Sequence, residues 1–114
     1  MKRKILILLM SAMTLMLFSV TSFAASYNKT SGTISGTLKT YSTYASAGTT
    51  NTNGNAYVSV RVKYNTSSGG TYWSSKAENS GSSYANTSRS ISGTVIGAES
   101  GHGASKSSVS FNLP

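Results

Sequence analysis

The sequence predicts an all-β domain, a small antiparallel β-sandwich or barrel of five to six strands after an N-terminal signal peptide. Three observations predict it. Apolar and polar residues alternate with period two, most clearly over 57–64. No window after residue 24 shows helical periodicity, because Gly, Asn, Ser and Thr interrupt every candidate. Those four residue types supply more than half of residues 25–114, so short apolar runs are separated by turn chemistry. At 114 residues the chain has room for one domain, 25–114, behind its leader.

The leader is residues 1–24. Lys2, Arg3 and Lys4 form a cationic start, Ile5 to Phe18 an apolar stretch, and Ser22-Phe23-Ala24 a small-x-small cleavage site. From Ile5 to Val20 the run is shorter than the ~20 apolar residues of a bilayer span, and Ser and Thr interrupt it. The expected product is secreted and extracellular. Export removes three cations and leaves seven against two carboxylates, a net charge of +5. With no Cys in the chain, no disulfide can staple the domain. Backbone pairing and packing of the seven Tyr, Trp73 and Phe111 must hold it instead.

A first strand is expected at about 31–43, where Ile34 and Leu38 share a face with Gly36 between them. The best-marked strand is Tyr57-Val58-Ser59-Val60-Arg61-Val62-Lys63-Tyr64, entered after Asn53-Gly54-Asn55 and left at Asn65 to Gly70. Residues 71–77 return as its hairpin partner. Pairing Tyr64 with Thr71 sets Val62 against Trp73, Val60 against Ser75 and Val58 against Ala77, so Trp73 faces inward with the valines. The same register sets Lys63 against Tyr72, Ser59 against Lys76 and Tyr57 against Glu78 on the outer face. Further strands are expected at about 88–96, where Ile91-Ser92-Gly93-Thr94-Val95 echoes Ile34 to Leu38, and at about 105–113. Segments 45–55, 79–87 and 97–104 have little apolar content and read as surface loops.

Chemistry is sparsely supplied. Glu78 and Glu99 are the only acids, and His102 is the only histidine. One His and two sequence-distant Glu do not make a metal set, so neither metal nor cofactor is expected. No phosphate-binding loop is present. The one catalytic-looking cluster, Glu99-Ser100-Gly101-His102, lacks a nucleophile-elbow pattern and sits between glycines as a turn would. The chain therefore reads as a non-enzyme, with a hydrolase using His102 as the minor alternative.

The informative feature is the outer face of the central hairpin. The expected register gathers Tyr57, Arg61, Lys63, Tyr72 and Lys76 there, with Lys39, Arg89 and Lys106 on other strands. Cations beside aromatic rings suit anionic or sugar-like polymers, since charge attracts and rings stack. Lys and Arg on a strand's wet side also guard against edge pairing, and Tyr favours strands. The reading that follows is a secreted, non-enzymatic binding module for anionic or carbohydrate cell-envelope polymers, with contact at an acidic membrane surface as an extension. No specific nucleic-acid target is expected. In size, export and composition, though in no specific motif, the chain resembles the lactococcin-like β-sandwich bacteriocins. That resemblance implies an antimicrobial alternative.

Overall fold

The structure, a computed structural model, describes residues 23–114. The expected signal peptide lies outside the described residues except for Phe23 and Ala24. Seven strands follow: β1 (Phe23–Ser31), β2 (Ile34–Tyr41), β3 (Tyr44–Asn65), β4 (Thr71–Trp73), β5 (Ala77–Ser90), β6 (Thr94–Ser105) and β7 (Ser108–Leu113). All pairings are antiparallel. The sheet order is β1-β2-β3-β6-β7, with β4 and β5 along the remaining side of β3. The all-β antiparallel class is as expected. Among the described residues the strand number is seven, and the form is one continuous sheet curled into a half-barrel.

The curl is made by β3. A straight strand of its 22 residues would run about 70 Å. Instead the β3–β5 register breaks between Thr50 and Asn55, and β3 changes neighbours there. Its first part pairs with β2, its second with β6. Asn51 Nδ2 donates to the Asn55 carbonyl (2.7 Å) and Asn53 N–H to Asn51 Oδ1 (3.0 Å), which closes the bend. Opposite it, Ser83 takes a positive φ of 69°. The β3–β5 ribbon therefore doubles over: Asn79 Nδ2 reaches the Asn86 carbonyl at 2.9 Å, and Arg89 Nη2 the Lys76 carbonyl at 3.0 Å.

Doubling over encloses the core. Val58, Val60 and Val62 are fully buried, with Phe111 and Leu113 beside them on the second half of the sheet. They meet Ile34, Leu38, Ala45, Ala47 and Ala85 from the first half. Gly36 is needed here for space rather than for φ. A Cβ on it would lie 2.5 Å from the His102 ring.

Several sequence expectations change. Segments 45–55, 79–87 and 97–104 are strand throughout, within β3, β5 and β6. Their small polar side chains look loop-like, yet such side chains let two halves of a sheet approach closely. The expected strand 88–96 is interrupted by the β5–β6 turn at 91–93, where Gly93 has φ +133°. The Ile-Ser-Gly-Thr echo thus has two different structures, a strand at 34–38 and a turn at 91–93. β1 precedes the first expected strand, and β7 begins at Ser108.

Candidate functional site

The β3–β4 hairpin closes one residue later than the apolar pattern implies. Asn65 pairs with Thr71, Tyr64 with Tyr72 and Lys63 with Trp73. The five-residue loop between them holds this register through Thr66 N–H to the Gly70 carbonyl (2.9 Å) and Gly69 N–H to the Thr66 carbonyl (3.0 Å). Thr71 Oγ1 donates to Asn65 Oδ1 at 2.6 Å across its mouth. A slip of one residue exchanges the faces of a strand. Trp73 therefore stands outside, 41 % exposed, and Tyr72 leaves the outer face for the side of Tyr64, their ring centroids 6.1 Å apart. Both placements correct the sequence expectation.

The slip is undone two residues on. Ser74 exchanges hydrogen bonds with Val62, through its amide and its side-chain hydroxyl. β5 then resumes with Ala77 against Val60. Ser75 and Lys76 are thus both left opposite Arg61, a bulge that restores the inward setting of Ala77. Lys76 borders a small cleft of about 30 Å³ with Ser59, Arg61, Glu99 and Asn112.

On the outer face the structure brings together Tyr57, Arg61, Lys63 and Lys76 and adds Trp73. The Arg61 guanidinium lies 4.3 Å from the Trp73 ring centroid, a cation–π contact. Its Nε and Nη2 donate to Glu99 Oε2 at 3.1 and 2.9 Å. Arg61 is held flat by a ring on one side and a carboxylate on the other, with a third of its side chain in solvent. Lys63 is exposed beside it.

Tyr57 has a different role from the one expected. It is buried, 4 % exposed, and its hydroxyl donates to Glu78 Oε1 at 2.9 Å. Burial, then the bond to Glu78, pushes its phenol pKa up. The same bond, more than the charge of Lys106 at 3.5 Å, holds the Glu78 carboxyl below its ordinary range. Tyr57 thus braces the lower part of the face. Of the outlying cations, Lys106 joins this group. Lys39 borders a separate cavity with Ser46 and Tyr84 on the first half of the sheet. Arg89 lies on the inner side, where its Nε is buried without a hydrogen-bond partner. Four cations (Arg61, Lys63, Lys76, Lys106) therefore meet two carboxylates on this face.

The Glu99-Ser100-Gly101-His102 cluster is strand, and alternation splits it. Glu99 points out to Arg61, while Ser100 and His102 point into the core. His102 is fully buried. Its Nδ1 meets Thr49 Oγ1 and its Nε2 meets Ser100 Oγ, both at 2.7 Å. Its ring stacks on Phe111 at 5.3 Å. Burial pushes its pKa down to about 4, against a smaller opposing contribution from a backbone hydrogen bond with Gly48. A neutral ring donates through one nitrogen and accepts through the other, so the two hydroxyls satisfy it completely. Acid, base and hydroxyl do not converge on an accessible point. Among the described residues no group of three or more His, Cys, Asp or Glu could hold a metal ion.

Sequence reasoning missed Trp73 and Glu99 as members of the face. A five-residue loop with bonding groups at Asn65, Thr66 and Thr71 was the available sign for the first. For Glu99 nothing local exists, since its partner is 38 residues away. Comparisons with protein-family models, with curated proteins and with solved structures find no match.

Proposed function

We propose that this is a secreted, non-enzymatic binding module that holds anionic or carbohydrate cell-envelope polymers on the Arg61–Trp73 face. The leader-like residues 1–24 support export. Cleavage after Ala24 would cost β1 only the pairing of Phe23 with Tyr41 and keep the seven pairs from Ala25 to Ser31. The observation that carries the binding reading is the exposed Trp73 ring with Arg61 stacked on it and Lys63 paired directly across. A pyranose ring can lie on the free part of the indole. A carboxylate or phosphate on the same polymer can meet Lys63 and Lys76, and the excess of cations raises its local concentration.

The structure needs no rearrangement to present these groups. Arg61 is already oriented by Glu99, so little side-chain freedom is lost on binding. The test is retention of the protein on purified cell-wall material and on a soluble polyuronate, at low and high salt. Retention should fall as salt screens the lysines, and by about tenfold in Trp73→Ala or in Arg61→Ala/Lys63→Ala. Lys39→Ala, on the other half of the sheet, should bind as the parent does. Retention indifferent to salt and to both variants removes the proposal. Growth inhibition of neighbouring bacteria without polymer retention would turn the reading toward the antimicrobial alternative.

A further inference from the structure

The two ends of the half-barrel differ in character. One end carries the turns at 42–43 and 91–93 and the loop 66–70. It is tied together by Ile91 N–H to the Thr43 carbonyl (3.0 Å) and Val95 N–H to the Ser42 carbonyl (2.8 Å). Of the seven exposed large hydrophobic residues among the described ones, five lie at or toward this end: Tyr27, Tyr44, Tyr72, Trp73 and Ile96. The other end carries the turns after Ser31, Ser105 and the bend at 51–55. Its turn residues are Gly, Ser, Thr, Asn and Lys106.

Ile96 is the most telling of the five. The β3–β6 register passes from Lys63–Gly97 to Tyr64–Val95, so Ile96 is the extra residue of a bulge and pairs with nothing. The bulge turns an aliphatic side chain half out, 50 % exposed, where a polar residue would cost nothing in packing. Beside it, Tyr27, Val95 and Pro114 border a largely apolar cavity of about 240 Å³. Cations are placed to match. Lys63 stands at this end paired with Trp73, Lys76 lies behind it beside Arg61, and Lys39 pairs with Ser46 close to the 42–43 turn. The carboxylates are set back and engaged, Glu99 by Arg61 and Glu78 by Tyr57 and Lys106.

We propose that this end seats on an anionic lipid bilayer, with Ile96 and the rings of Tyr72 and Trp73 at headgroup level. Tyrosine and tryptophan suit that depth because each has an apolar body and a polar tip. Lysines flanking them keep their ammonium groups at the phosphates while their stems cover apolar surface. The arrangement proposed is that of an interfacial surface contact. This site shares Lys63 and Trp73 with the polymer face, but it stands on Tyr72 and Ile96, which that face does not use.

Trp73 is the only tryptophan, so its fluorescence reports this end alone. The full chain is mixed with vesicles of phosphatidylglycerol or of phosphatidylcholine, and any contribution of residues 1–24 is common to all variants. On phosphatidylglycerol the emission should shift to the blue and be quenched by lipids brominated near the headgroup. Ile96→Ser/Tyr72→Ser should weaken this response about tenfold while leaving retention on cell-wall polymer unchanged. Arg61→Ala/Lys63→Ala should weaken both, so either reading can fail without the other. Unchanged Trp73 emission in the parent chain on phosphatidylglycerol overturns the proposal, even if the vesicles retain protein. So does a double variant whose emission responds as the parent's does.

Discussion

The two halves of the curled sheet bury residues of different size. On the second half, Val58, Val60, Val62, His102 and Phe111 project inward; on the first, Gly36, Ala45, Ala47, Thr49 and Ala85 receive them, with Ile34 and Leu38 at intervals. Large side chains rest on small ones, and the clearest instance is the His102 ring over Gly36. A domain of this length with few aliphatic residues and no disulfide cannot fill a thick core. It can bring its halves close together so that a thin one suffices, and that closeness demands small residues on one side.

Variants can break this complementarity, and the largest effect is expected at the closest approach. Gly36→Val places branched carbons where the His102 ring already stands. We expect a loss of about 3 kcal/mol or failure to fold, read from urea unfolding. Next is acid. His102 is held neutral with a folded pKa of about 4 against 6.5 when free. As pH falls the unfolded chain takes up this proton first. Stability is therefore full above pH 6.5 and declines between 6.5 and 4, by roughly 3 kcal/mol in all. Glu78, whose carboxyl is lowered from 4.5, adds its loss only below that value. Unfolding midpoints measured across pH 7 to 4 check the window.

Val60→Ala removes two methyl groups from the large-residue side and should cost about 2 kcal/mol. Trp73→Ala should cost less, about 1 kcal/mol, because the ring is 41 % exposed and stacks on Arg61 at the surface. If Trp73→Ala proves as damaging as Val60→Ala, the indole is inside and the hairpin register is wrong.

The same inequality of size decides how much could be read in advance. Valines alternating with Ser, Arg and Lys announce a half-buried strand, and 57–64 lies where that pattern puts it. Residues 45–51 alternate just as strictly, Ala-Ser-Ala-Gly-Thr-Thr-Asn, but Ala and Thr against Ser and Gly give no contrast in hydropathy. Gly97 to Ala104 fails to show for the same reason. The placing of Arg61 and Lys63 on one face follows from strand alternation and was legible, whereas Lys76 reaches that face only because the bulge opposite Arg61 offsets the hairpin's one-residue slip. Tyr72 and Trp73 depend on where a loop closes, and a one-residue difference there reverses both. Tyr57 has the outward parity expected of it and meets Glu78 as expected, but diagonally, since the observed register pairs Tyr57 with Ser80 and Glu78 with Ser59; that the ring is buried there was not legible.

The most direct test of the fold-over is a single nuclear Overhauser measurement on the one imidazole in the chain. Strong effects from the His102 ring protons to the Gly36 α-protons, across 66 positions of sequence, are what two halves in contact require. Their absence, with the ring protons seeing only β6 and β7, would mean that the ribbon does not close on itself.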